Sequence, residues 1–248
     1  MSDDFGVIEL RRYTIQPGRR ADFARYFETW FPEAFQQLGA VAFGQFFERA
    51  RPNHFAWLRG FRDMPARLAV NQAFYFGPVW KEHKPAVNSL IVDSDDVLLL
   101  RPAYPGSGLA PLRAVDPVLE QDGAQGVVAA QIFKVADGQL DAFLRQSELA
   151  FACYRGRGVT EAAVLATLDE PNNFPQHPIR TDGSYVVWIG VLQDDAALHG
   201  LRPMLDAAAD MLAATGLLDG APELVLLDPT VRSRLRWAAV QRQYARAA

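Results

Sequence analysis

The feature that most constrains this fold is an internal repeat. Residues 7–23 lie on residues 127–143 at a constant offset of 120, which sets Ile15 on Val135, Gly18 on Gly138 and Phe23 on Phe143. Pro52-Asn53 lies on Pro171-Asn172 at 119, Gly60 on Gly190 at 130, and Asp96–Pro102 on Glu223–Pro229 at 127. Anchors in the same order, with offset changes confined to loops and one helix, identify a tandem duplication of a unit of roughly 100 residues. The jump from 119 to 130 places an insertion of eleven residues around Phe174–Ser184 of the second copy. Pro175, Pro178 and Gly183 make that insertion an irregular loop, because proline cannot donate to a strand ladder.

Within the first copy, residues 7–15 alternate as a strand does and end at the turn signal Gln16-Pro17-Gly18. Apolar residues then recur at helical spacing (Phe23, Tyr26, Phe27, Trp30, Phe31) until Pro32 bends or breaks the helix. Residues 40–49 and 54–61 read as strands joined through Arg51-Pro52-Asn53. Asp63 can cap a helix with Pro65 in its first turn, and the helical pattern runs to about Ile91 with an interruption at Gly77-Pro78. Asp95–Arg101 is a buried strand that stops at Pro102. The order is βαββαβ, a four-stranded antiparallel sheet with both helices on one face.

The other face cannot be bare. Ile8 and Leu10 oppose Val7 and Ile15, and Ala56 and Leu58 oppose Phe55, Trp57 and Phe61, so both faces are apolar and both need cover. Packing the open faces of the two copies together supplies it. The expected fold is α+β: two tandem ferredoxin-like repeats whose antiparallel sheets form an intramolecular dimeric α/β barrel of eight strands. The expected segments are a first repeat over 1–102, a linker rich in Pro and Gly over 103–125, a diverged second repeat over 126–229, and a basic tail over 230–248. That tail carries Arg232, Arg234, Arg236, Arg242 and Arg246 and no acid. It reads as a solvated terminal element, or as an arm that grips an acidic partner.

Such a fold leaves function open, and composition narrows it only by exclusion. A net charge of −4 over 248 residues argues against a nucleic-acid partner. No apolar run reaches the ~18 residues that a membrane span requires. The acidic start MSDDFGV is no signal peptide. Cys153 is the sole cysteine, which rules out an internal disulfide and points to a reducing, cytoplasmic setting.

The opening strand carries a resemblance. Glu9-Leu10-Arg11-Arg12-Tyr13-Thr14-Ile15-Gln16-Pro17-Gly18 resembles the E-L-R-x-Y-x-L-x-P-G opening of the NIPSNAP family. Phe61–Arg67 resembles the family's aromatic-acidic-Arg segment entering the second helix, and Trp80, Pro85 and Val97–Leu100 resemble its end. The resemblance covers residues 7–102, and the second copy keeps the skeleton without the signature. It implies a ferredoxin-like unit of the dimeric α/β-barrel superfamily. The family has no settled activity to carry over. Wider relatives include cofactor-free monooxygenases of aromatic polyketides and a haem enzyme that decomposes chlorite.

Side chains two apart on a strand share a face, so Glu9, Arg11 and Tyr13 point together. The second copy has Ala129, Gln131 and Phe133 there, and Trp57 and Arg59 are set against Val187 and Ile189. A buried charge costs several kcal/mol unless it is paired. Glu9 is therefore expected in a structural ion pair. Arg11, Tyr13, Trp57, Arg59, Trp80 and His83 are the candidate ligand-binding residues, with an arginine anchoring the polar end of an otherwise apolar ligand. His54, His177 and His199 are expected to be loop or surface residues. No HExxH, cysteine pair, GxGxxG or P-loop is present, so no metal or cofactor is expected. Two functions follow as expectations. One is a small-molecule protein, binding a hydrophobic ligand and acting as a cofactor-independent oxygenase or isomerase if it is an enzyme. The other is a binding or scaffold protein without an active site. Barrels pairing as homo-oligomers are compatible with either.

Overall fold

The computed structural model describes residues 5–110, 112–155 and 157–238. The acidic start at residues 1–4 and the tail arginines Arg242 and Arg246 lie outside the described residues. The repeat is visible element by element. β1 (Val7–Ile15) and β5 (Val127–Val135) are both buried along almost their whole length. Each ends in a turn whose glycine sits in the left-handed region, Gly18 at φ 76° and Gly138 at φ 73°. A side chain there would be strained, which is why both copies keep glycine.

The copies differ in their helices. In the first, α1 (Arg20–Trp30) stops before Pro32, which opens the short α2 (Pro32–Gln37). α3 (Met64–Tyr75) starts where Asp63 accepts a hydrogen bond from the Ala66 backbone N at 2.7 Å, and Gly77-Pro78 separates it from α4 (Pro78–Asn88). β2 (Val41–Glu48), β3 (His54–Phe61) and β4 (Ile91–Pro102) complete this copy. The second copy has α5 (Leu140–Ala152), β6 (Val159–Thr167), β7 (Ser184–Leu192), the unbroken nineteen-residue α6 (Asp195–Ala213) and β8 (Glu223–Pro229). Asp194 caps α6 through the Ala197 backbone N as Asp63 caps α3.

All strand pairs are antiparallel and the sheet closes within the chain in the order β1-β3-β2-β8-β5-β7-β6-β4. Two seams join the copies: Phe46–Glu48 of β2 against Leu227–Pro229 of β8, and Leu100–Pro102 of β4 against Leu165–Thr167 of β6. Ile8, Leu10, Leu58, Val128, Val187 and Ile189 fill the barrel interior. Two further cores lie outside it, one under the helices of each copy. At one end of the interior Arg12 meets Glu48 at 3.2 Å and Glu223 at 2.8 Å, tying the copies by charge as well as by packing. Among the described residues no helix is long and apolar enough to cross a membrane.

Two expectations need correction. The third strands correspond at offset 131, not 130. Arg11 pairs with Trp57 and Gln131 pairs with Trp188, so Trp57 matches Trp188, and Arg59 matches Gly190. A slip of one residue exchanges the two faces of a strand, and the Gly60–Gly190 match had placed interior Val187 and Ile189 against outward-facing residues. The tail, as far as residue 238, folds back onto its own chain and is not a free arm, although Val231 and Arg232 remain exposed. Leu235 packs into the barrel interior, the Trp237 backbone N donates to Gln125, and Arg236 makes a two-point contact with Glu120 at 2.6 and 2.7 Å. Arg232 pairs with Glu33 and Arg236 with Glu120, both within the same chain. The segment between β6 and β7 has the irregular course expected of it, and it reaches across to the first copy.

Candidate functional site

The outward face of β1 presents Glu9, Arg11 and Tyr13, and the neighbouring β3 presents Trp57 and Arg59. α3 lies over them and turns Arg67, Val70, Asn71 and Phe74 inward, positions three and four apart on one helical face. These elements bring three guanidiniums to one carboxylate. Glu9 Oε2 accepts from Arg11 Nη1 at 2.8 Å and from Arg59 Nε at 2.7 Å, while Oε1 accepts from Arg67 Nε at 2.7 Å. All four side chains are at most 1% exposed. Burial alone would raise the Glu9 carboxyl, but Arg59, Arg11 and Arg67 outweigh it and hold it well below the usual carboxylate range. The cluster therefore carries a buried surplus of two positive charges.

Neutral groups spread that surplus. Arg11 lies over the rings of Tyr13 and Trp57, and Arg59 over those of Phe35, Trp57 and Phe61, at 5.1–5.7 Å. Arg11 Nε donates to Tyr13 Oη at 2.9 Å, Arg59 Nη1 to Tyr75 Oη at 3.4 Å, and Arg67 Nη1 to Asn173 Oδ1 at 2.6 Å. Polar atoms remain without a protein partner: Trp57 Nε1, Arg59 Nη2, Arg67 Nη2 and both amide atoms of Asn71. Each such atom costs about 1–3 kcal/mol if nothing satisfies it, so this region is polar beyond what its own packing uses.

The second copy shows what a purely structural version looks like. Glu9, Arg11 and Arg59 are replaced by Ala129, Gln131 and Gly190, and the matched helix caps put Leu198 in place of Arg67. Both polar atoms of the Gln131 amide have a partner: Oε1 accepts from Tyr154 at 2.7 Å and Nε2 donates to the Leu205 carbonyl at 2.9 Å. A Cβ at Gly190 would come within 2.2 Å of the Trp188 ring, so that ring occupies the place Arg59 holds in the first copy.

Above the cluster, where Pro32 and Gly77-Pro78 break the helices, lies a cavity of about 660 Å³. Phe27, Phe31, Trp57, Phe74, Tyr75 and Trp80 supply much of its wall, and exposed Lys81 and Lys84 stand at its rim. The loop from the second copy covers it. Asn172 and Asn173 bind Arg67, the Asn173 Nδ2 donates to the Met64 carbonyl at 2.6 Å, and the His177 ring lies on Tyr75 with centroids 3.9 Å apart. Burial first, then Arg11 and Arg59, lower the His177 pKa to about 3, so at neutral pH its imidazole is uncharged.

Of the residues expected to bind a ligand, Tyr13, Trp57 and Trp80 line the cavity. Arg11 and Arg59 sit one layer behind its aromatic wall. His83 is away from it, bonded through Nδ1 to Tyr26 Oη at 2.8 Å and stacked on Trp30. Sequence reasoning missed Arg67, Tyr75 and His177. Arg67 had a usable signal, since it falls on the same helical face as Val70 and Phe74. His177 had none, because an insertion's sequence does not say which surface it will reach. Among the described residues no group of three or more His, Cys, Asp or Glu side chains is placed to hold a metal ion.

Residues 8–104 match the NIPSNAP family. Three solved structures align over nearly the whole chain. A candidate monooxygenase from Fusobacterium nucleatum is 8% identical with a TM-score of 0.60, covering 91% of this chain and 92% of its own. An anthrone oxidase-like protein is 12% identical with a TM-score of 0.58, covering 96% and 98%. A candidate monooxygenase from Lactobacillus acidophilus is 14% identical with a TM-score of 0.56, covering 91% and 94%. At these identities the likeness is one of fold, the whole eight-stranded barrel included. No curated protein matches the chain.

Proposed function

We propose that the NIPSNAP-matching first copy binds a small aromatic molecule in its cavity, and that the second copy supplies the covering loop and the other half of the barrel. The observation that carries this reading is the aromatic cavity of about 660 Å³ set where the first copy's helices are broken. Cavities of this size take ligands of two or three fused rings, and aromatic walls favour flat ones. A filled core, as in the second copy, would have favoured a scaffold. The test is titration with 2-methoxynaphthalene, followed by the fluorescence of Trp57 and Trp80. Saturable quenching that Val87→Phe abolishes supports the reading; no quenching, or quenching that this variant leaves intact, refutes it.

A catalytic extension is favoured by the neutral His177 on the cavity wall beside a buried positive surplus. The positive field behind the wall offsets the anion left when an acidic C–H or O–H of the ligand loses its proton, and His177, held at a pKa of about 3, takes that proton only as a weak base whose charge the adjacent anion balances. The whole-chain neighbours named for oxidase and monooxygenase activity suggest oxygen as the second reactant. In that reaction an activated ring CH2 becomes C=O: O2 takes the two C–H hydrogens and four electrons from the substrate, one oxygen atom stays on carbon and the other leaves as water. An oxygen electrode with anthrone as probe tests this, and equal uptake by wild type and His177→Ala would exclude His177 as the base. Binding without uptake would leave a non-enzymatic carrier. We place the protein in the cytoplasm on the strength of its sole cysteine. Pairing of whole barrels is also proposed, and would appear as a doubled mass in light scattering.

A further inference from the structure

Two chains of hydrogen bonds leave Glu9 Oε2 and end on the cavity wall. One runs through Arg11 to Tyr13 Oη, the other through Arg59 to Tyr75 Oη. In each the guanidinium donates, so the phenol oxygen acts as acceptor. No other hydrogen bond engages either hydroxyl among the described residues, which leaves each O–H free to donate. Both rings line the cavity. The two phenols are near enough for charge on one to oppose charge on the other, and burial, the largest influence on Tyr13, keeps it protonated.

We infer that Tyr13 and Tyr75 are a paired anchor for the ionised oxygen of an aromatic enol or phenol, with Arg11 and Arg59 polarising the two hydroxyls from behind. This deepens the proposed binding function and rests on it. The arginines cannot be the anchor themselves, since their rings of aromatic neighbours separate them from the cavity. A hydroxyl that accepts from a guanidinium becomes a stronger donor, and donors in a desolvated site favour the anion over its conjugate acid. Neither surface lysines nor His177 would substitute: Lys81 and Lys84 are solvated at the rim, and the neutral ring of His177 brings no charge. The ligand class is thus narrower than hydrophobic molecules in general. It is fused aromatics with an acidic hydroxyl, or ketones able to enolise.

The experiment compares 2-naphthol with 2-methoxynaphthalene, which has the same rings and no ionisable proton. Absorbance titration of bound 2-naphthol should show its ionisation midpoint lowered by at least about one pH unit, equivalent to about tenfold preference for the anion. In Tyr75→Phe the shift should shrink, and in Tyr13→Phe/Tyr75→Phe it should lose most of its size, leaving only the part that the field of the buried arginines gives. The methyl ether should bind wild type and both variants within about threefold, which also reports that the variants fold. A shift undiminished in the double variant overturns the anchor, as does methyl ether binding to wild type with no shift for naphthol; both leave the binding reading standing. If neither probe binds wild type, the binding reading itself has failed.

Discussion

Replacing Glu9 by Gln tests the electrostatic account most directly. The change keeps the shape and one acceptor oxygen but removes the carboxylate that meets Arg11, Arg59 and Arg67. Removing one partner of a buried pair costs about 3–5 kcal/mol, because the remaining charge is left uncompensated. Here the surplus would rise from two buried positive charges to three, with only neutral acceptors left to meet them: the Gln amide oxygen, Tyr13, Tyr75, Asn172 and Asn173 among the described residues. Arg59→Met should cost much less, about 1–2 kcal/mol. Glu9 keeps Arg11 and Arg67, methionine retains most of the packing, and one like-charge repulsion disappears. In a chain of this size each kcal/mol moves Tm by about 2–4 °C. Glu9→Gln should therefore lower Tm by roughly 6–20 °C and Arg59→Met by about 2–8 °C, read by calorimetry at pH 7. Equal losses for the two variants would refute the surplus, because they would mean that each arginine is matched by a full share of negative charge.

Three further outcomes follow from other contacts. His177 is uncharged in the folded chain down to about pH 3 but takes up a proton near 6.5 when released. The released form then binds more protons between those values, so stability falls as pH drops through that window, by up to about 1.4 kcal/mol per pH unit; His177→Gln should flatten that part of the profile, and an unchanged slope would count against it. Asn173→Ala removes one of the acceptors of Arg67 and the donor to the Met64 carbonyl; amide exchange in residues 168–183 should rise with a stability loss of about 1–3 kcal/mol, and unchanged exchange would show that the loop is held elsewhere. Leu235→Ala should cost about 2–4 kcal/mol by urea unfolding, since the side chain fills the barrel interior; a loss below about 0.5 kcal/mol would mean the tail merely rests on the surface.

Most of the architecture was legible because it rests on periodicity. Alternation on both faces of residues 7–15 and 54–61 forced a second sheet, and the repeat supplied it within the same chain. The helix breaks were legible too, since Pro32 and Gly77-Pro78 are local chemistry. The one-residue error on the third strand shows where alignment fails. Two glycines, Gly60 and Gly190, were matched as though they had one role, yet a Cβ at Gly60 would strike Phe43 and one at Gly190 would strike Trp188, on opposite faces of the sheet. Tyr75 went unnoticed because its hydroxyl reaches Arg59 across two elements, a pairing that no spacing along the chain encodes. The packing of Leu235 and the partner of Arg236 were not legible, because five arginines without an acid look solvated until their partners are seen.

The asymmetry of the two copies links these observations. A duplicated chain needs both copies to close the barrel, but the outer face of each sheet is free to change on its own. In the second copy α6 runs unbroken, Leu198 and Trp188 fill the outer face, and Gln131 is satisfied by its neighbours. Among the described residues of that copy no buried side-chain nitrogen or oxygen lacks a partner. In the first copy the helices break, a cavity opens beneath them, and three arginines converge on one carboxylate with polar atoms to spare. Each of these features costs stability, and packing alone would not keep them together. The second copy also extends the loop that covers the cavity, so the site needs both halves although its charged residues come from one. Separating the halves would expose the interior face of each sheet and remove His177 from Tyr75 at the same time. For that reason the copies should lose ligand binding and folding together, not one after the other.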